Sequence, residues 1–170
     1  CLQQLDRANE ALSIINEVIS LSPEKTDLFL IQASIQLSLD RPIDALANLD
    51  FLRRLGKLDS ENMLLLANLH LREGNLTLTK PVISKALSSE KKPPLLSALN
   101  VLNYVTKLQD WELAIEISQK IKSSYPGKTA QKTDQLLRRL TAIIAIKSGK
   151  NPDSGAKTLE ALVQENPLDA

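Results

Sequence analysis

Small residues recur along this 170-residue chain at one spacing. Ala11, Ala45, Thr79 and Ala114 are separated by 34, 34 and 35 residues. A second series, Ala33, Ala67 and then Leu102, steps by 34 and 35. Two independent series with a common period describe a chain built from repeated supersecondary units. A single irregular core gives no reason for such a period. The length that first suggests one ordinary globular domain is therefore better read as five times 34.

The segments around these marks repeat as well. Asp6-Arg7-Ala8-Asn9-Glu10-Ala11-Leu12 precedes an apolar stretch ending at Ser22-Pro23, and Asp40-Arg41-Pro42-Ile43-Asp44-Ala45-Leu46 precedes another. Gly74-Asn75-Leu76, Gln109-Asp110-Trp111 and Gly149-Lys150-Asn151-Pro152 open the later ones. Thr26 or Asp27 can cap an N-terminus, and Leu28, Ile31, Ile35 and Leu39 follow at helical spacing. Ser60 with Met63, Leu64, Ala67 and Leu71 repeats the pattern. Breaks fall at Asp40-Arg41-Pro42, Gly56-Lys57, Gly74-Asn75, Lys92-Pro93-Pro94, Pro126-Gly127 and Gly149-Lys150. Few segments alternate as a half-buried strand does. The pattern predicts an all-α chain with two antiparallel helices per unit.

The first helix of a unit is apolar nearly all round, as in Leu28-Phe29-Leu30-Ile31 and Met63-Leu64-Leu65-Leu66. Such a helix must be covered on more than one side. Stacked helical hairpins supply that cover, and Ala33, Ala67, Ala45 and Ala114 become points of close helix approach. Aromatics are only 3% of the chain, so its core is aliphatic.

This phased set resembles the tetratricopeptide repeat (TPR) family, whose unit has small residues at positions 8, 20 and 27 and Pro at 32. Ala11, Ile15, Val18 and Pro23 match positions 20, 24, 27 and 32. Ala33 and Ala45 match 8 and 20 of the second unit, and Ala67 and Ala86 match 8 and 27 of the third. Ala114, Ile121 and Pro126 follow in the fourth, and Leu162 and Pro167 in the fifth. The resemblance implies an α-solenoid, a right-handed superhelix of antiparallel hairpins. Its units fall at about 1–25 (partial), 26–59, 60–94, 95–128 and 129–168. The pattern opens at a second helix and ends at Pro167-Leu168-Asp169-Ala170, which resembles the entry to another first helix. It therefore reads as an excerpt of a longer array. Most family aromatics are replaced by aliphatics here, with Phe29 and Trp111 the main survivors. Thr79 and Gly155 take the usual Ala place at position 20. Ala114 to Gly155 spans 41 residues, so the helix from about Thr129 to Ser148 is expected to be roughly two turns longer.

The composition excludes several functional classes. One Cys leaves no disulfide framework or cysteine zinc site, and one His leaves no multi-histidine metal centre. A net charge of +1 does not suit a general nucleic-acid binder. No apolar run reaches the roughly 18–20 residues that span a bilayer.

Individual motifs reduce to repeat architecture. Gly127-Lys128-Thr129 is similar to part of a phosphate loop, but Lys122 stands where its first Gly belongs and a helix precedes it instead of a strand. It reads as an inter-repeat turn. His70 is expected to be a packed core histidine with one hydrogen bond, and Trp111 a packing residue. Asn75-Leu76-Thr77 matches a glycosylation acceptor, yet Asn75 reads as a helix cap or turn residue. Cys1 reads as a boundary of the given sequence and not as a lipidation site.

The resemblance implies where a partner would sit, because TPR proteins line a concave groove with their first helices. Ser34 and Ser38, Asn68 and Arg72, and Asn103 and Lys107 fall at unit positions 9 and 13. Lys147 falls at 13 of the fifth unit. Residues four apart share a helix face, so the pairs form a polar, basic stripe. Side-chain amides can bond a peptide backbone, and Arg and Lys suit carboxylates. The helix dipole alone also favours a cation in a last turn. Leu30, Leu64 and Leu99, at position 5, are expected to add a partly apolar groove. The expected function is a protein-interaction scaffold that binds an extended peptide or partner helix, without cofactor, metal or catalysis. The alternative is an assembly subunit self-associating through its convex face or its ends.

Overall fold

The computed structural model describes residues 2–127 and 131–165, with side chains from Asp6 onward. Cys1, Lys128, Thr129 and Pro167–Ala170 lie outside the described residues. Helices run in order: α1 Leu2–Leu21, α2 Asp27–Ser38, α3 Pro42–Arg54, α4 Ser60–Arg72 and α5 Leu76–Ser88. They continue with α6 Leu95–Lys107, α7 Trp111–Ser124, α8 Gln131–Lys147 and α9 Pro152–Glu165. No strand occurs among the described residues. Neighbouring helices pair as α2/α3, α4/α5, α6/α7 and α8/α9, and α1 packs on α2. The first helices also stack on one another, α4 on α6 and α6 on α8. The protein is an all-α solenoid.

The periodic small residues sit where helices approach. Ala33, Ala45, Ala67, Thr79 and Ala114 are at most 1% exposed. Leu102 is also fully buried and fills the equivalent space in α6 with bulk. Gly155 is buried against α8, where an added Cβ would lie 2.7 Å from both the Ala142 carbonyl oxygen and Ile146 Cγ1. No side chain fits there unless the two helices move apart. Core burial peaks in α4, where Met63, Leu64, Leu66, Ala67, Leu69 and Leu71 are all buried. In α2, by contrast, Ile31 is half exposed.

The turns inside each hairpin repeat a single backbone device. Asp40, Gly74, Gln109 and Gly149 all adopt left-handed φ values, between 55° and 74°. Each donates its N–H to the carbonyl three residues back, at 3.1 Å. This left-handed residue closes the preceding helix and reverses the chain. Glycine takes the conformation freely, whereas Gln109 holds it against a steric cost.

Helix ends differ in detail from the expected signals. Thr26 stands at the N-cap of α2 without a side-chain cap bond. Asp59, one residue before Ser60, caps α4 by accepting from the Asn62 N–H at 2.8 Å. Ser60 instead donates its hydroxyl to the Lys91 carbonyl at 2.6 Å and ties two turns together. Among the described residues α8 has 17 residues against 13 in α4 and α6. That is about one extra turn, and Thr129, where the longer helix was expected to begin, lies outside the described residues.

Candidate functional site

The stacking of α4 on α6 leaves a cleft of about 390 Å³ on the face that the first helices present. Glu61, Asn62, Leu65 and Asn68 of α4 line one wall, and Ser97 and Asn100 of α6 line the other. Leu64 forms its floor. The lining is neutral apart from Glu61, with three side-chain amides that can both donate and accept. Asn62 and Ser97 stand 35 residues apart, as do Leu65 and Asn100. Equivalent positions of successive units thus face each other.

The residues expected from sequence fare unequally. Asn68 is half-buried and lines the cleft. Asn103 is half-buried and is not among the residues lining it. Arg72, Lys107 and Lys147 are exposed, each in the last turn of its helix. Among the described residues none of the three is ion-paired. Ser34 and Ser38 are exposed, but their hydroxyls donate to their own helix, to the Leu30 and Ile35 carbonyls at 3.0 and 2.7 Å. Only their acceptor lone pairs face outward. Leu30 is half-buried and packs against the core.

Of the leucines expected to add an apolar groove, Leu64 lines the cleft and Leu99 is not among its lining residues. The two are 2% and 0% exposed and belong to the core. The physical reason is the stacking of the first helices, since position 5 points into the α4–α6 interface. Asn62, Ser97 and Asn100 were not among the residues expected from sequence. Asn62 and Ser97 are marked by polarity at a shared 35-residue spacing, whereas Asn100 stands opposite the apolar Leu65 and carries no such signal.

Two further polar features lie outside that cleft. An amide chain links three helices: Gln32 donates to Asn16 at 2.6 Å, and Asn48 donates to Gln32 at 2.6 Å and Gln36 at 2.9 Å. His70 is 2% exposed, and neither ring nitrogen has a hydrogen-bond partner. The expected single hydrogen bond is absent because its neighbours on α4 are apolar. Burial pushes its pKa below the ordinary histidine value, against the Asp50 carboxylate, which raises it. Trp111 opens α7 and is half-buried, and Asn75 stands at the N-cap of α5.

Among the described residues no group of three or more His, Cys, Asp or Glu could hold a metal ion. No helix of those residues is long and apolar enough to cross a membrane. No family model matches the sequence, and no curated protein matches it either. Solved structures do match the fold. The MamA protein superposes with a TM-score of 0.74 at 13% identity, over 97% of this chain and 86% of that one. YrrB, a TPR protein with an unusual peptide-binding site, superposes at 0.72 and 10% identity, over 98% of this chain and 82% of that one.

The chain has a TPR-like helical-repeat fold.

For this TPR-like array the likeness concerns the fold, since identities of 13% and 10% carry no residue correspondence at the cleft.

Proposed function

We propose that residues 1–170 act as one array, a lone second helix followed by four hairpins, and that it is a protein-interaction scaffold without catalytic chemistry. The face made by α2, α4, α6 and α8 holds an extended peptide. The single observation that carries this reading is the amide-lined cleft between α4 and α6. An extended peptide exposes unpaired N–H and C=O groups, and Asn62, Asn68 and Asn100 can answer both kinds. The exposed Arg72 and Lys107 flank the cleft region and favour carboxylates on the peptide. YrrB carries a peptide-binding site on the same kind of fold, which agrees with this reading.

The test is selection of peptides from a displayed random library on the wild-type chain, followed by affinity measurement on Asn68→Ala/Asn100→Ala. The double variant should bind the selected peptides about tenfold or more weakly, as expected for two lost hydrogen bonds. Its melting temperature should stay within error of wild type. Equal affinity in the variant removes the cleft from the binding site.

A second reading, assembly through the ends, draws on α1. Ile14 and Leu21 there are 56% and 77% exposed, and Val18 lies beside them. Light scattering after size exclusion would support it by finding an oligomer that Ile14→Glu/Leu21→Glu dissolves. A monomer at all concentrations rejects it.

A further inference from the structure

A second opening is larger than the α4–α6 cleft. It sits where α7, α8 and α9 meet and has a volume of about 590 Å³. At the preceding repeat the equivalent seam is packed, α7 directly on α5, whereas α7 and α9, like α3 and α5 earlier in the array, are not joined in that way. Three cations from three helices border the opening: Lys122 of α7, Arg138 of α8 and Lys157 of α9. The lining holds one carboxylate, Asp134. Among the described residues Lys122 and Lys157 make no ion pair. A chain with a net charge of only +1 has gathered three cations from separate helices around one cleft.

Arg138 shows what the cleft can hold. Its guanidinium takes the Glu165 carboxylate with both oxygens, Nη1 to Oε2 at 2.7 Å and Nη2 to Oε1 at 2.9 Å. This two-pronged geometry selects a planar carboxylate. The pair is open to solvent, so it exchanges readily with a competing carboxylate. The hydroxyls of the lining add a second requirement. Thr141 donates to the Leu137 carbonyl at 2.9 Å, and Thr158 donates to the Ser154 carbonyl at 2.9 Å. With their protons committed to the helices, both oxygens are left as acceptors. A bare anion brings no proton to such a group. A peptide brings backbone N–H groups as well as side-chain carboxylates. Leu137 and Ala161 add an apolar wall for its side-chain stems.

We infer that the α7–α8–α9 cleft is a second binding site, specific for an acidic peptide segment whose carboxylates reach Lys122, Lys157 and the Arg138 fork. Glu165 holds the fork in place until the segment arrives. The site is independent of the α4–α6 cleft and stands or falls separately.

The experiment uses the full chain and a short fluorescein-labelled peptide of alternating Glu and Ala, followed by anisotropy. Wild type should bind it, more weakly at physiological salt than at low salt. Lys122→Glu/Lys157→Glu should weaken binding about tenfold or more, the scale of reversing two charges at an interface. Lys122→Gln/Lys157→Gln serves if the reversal disturbs the melting curve. Lys25→Glu/Lys57→Glu, an equal charge change outside the cleft, should have no comparable effect. Glu165→Gln should tighten binding several-fold, while Glu24→Gln should not. Inorganic phosphate should displace the peptide poorly. Equal loss in the two double-lysine variants overturns the site, since binding would then follow net charge. Unchanged or weaker binding in Glu165→Gln overturns the role of the fork. Phosphate or a single-stranded oligonucleotide competing as well as unlabelled peptide overturns the ligand class.

Discussion

Helix α7 has one closed side and one open side. Toward α5 it makes a row of polar contacts. Lys80 pairs with Glu116 at 2.8 Å, Lys120 meets the Ser84 hydroxyl, and the Ser124 hydroxyl donates to the Leu87 carbonyl at 3.0 Å. Tyr125 closes the row by donating its hydroxyl to the Pro93 carbonyl at 2.6 Å. Toward α9 there is no such row among the described residues, and the basic cleft takes its place. The first helices stack in the same way on both sides, α4 on α6 and α6 on α8. The difference therefore arises in the second helices. Apolar stacking of first helices sets the array, but it does not close the seam between second helices. Particular side chains must do that. Gly155 works in the opposite direction, because it lets α9 sink against α8 at a distance no Cβ would allow.

The largest loss is expected at a residue both sides share. Ile121 of α7 is completely buried. Ile121→Ala should cost about 2–5 kcal/mol. Urea denaturation would measure it, and a cost below about 1 kcal/mol would mean that α7 is not a common core element.

A narrower cut tests the open side alone. Gly155→Ala should cost about 1–3 kcal/mol through forced separation of α8 and α9. Hydrogen exchange should accelerate in α9 while α5 and α7 keep their protection. Equal acceleration in α5 would show that the two sides unfold as one unit.

Acid should act away from the basic cleft, through α4. Burial lowers the His70 pKa, so the unfolded chain takes up the proton first. Stability is then full above about pH 6.5 and declines as the pH falls below that value. His70→Leu should flatten this decline and remove a buried unpaired group whose cost is about 1–3 kcal/mol. Thermal melts across the acid range check it, and an unchanged pH profile in the variant would assign the decline to other groups.

The smallest effects separate backbone from packing. A Cβ added at Gly74 would meet nothing within 4 Å, and φ there is 74°. Gly74→Ala should therefore cost about 1 kcal/mol through conformation alone. Gln109→Gly, at the equivalent turn, should gain up to about 1 kcal/mol. Melting temperatures moving in the same direction for both variants would refute the equivalence of the turns.

Much of this architecture could be read in the chain. The spacing of Ala33 and Ala67, and of Ala45, Thr79 and Ala114, marked the helix contacts in advance, since close approach tolerates only small side chains in those places. Gly74 and Gly149 marked hairpin turns for the same kind of local reason. Gln109 was marked only by its place in the repeat, 35 residues after Gly74, because nothing in a glutamine itself announces a left-handed turn. At the candidate groove, Asn68 was legible from its unit position, whereas Asn62, Ser97 and Asn100 were not. Their meeting depends on how far α6 is offset along α4. Leu64 and Leu99 divide for a related reason, since the first lines the cleft and the second does not. An apolar residue at the edge of a first helix is groove or core according to the angle at which the next helix lies.

The part of this architecture that is written along the chain is periodic: all-helical hairpins, their approximate bounds, and the small residues between them. Hydrophobic spacing and turn residues act within a few positions of one another, so they are visible there. Which seams close is a matter of tertiary placement. A seam between second helices joins residues some 36 positions apart, as Lys80 to Glu116, and it depends on how whole hairpins lie against each other. The basic cleft lies beside one such seam, between α7 and α9, with Lys122, Arg138 and Lys157 around it.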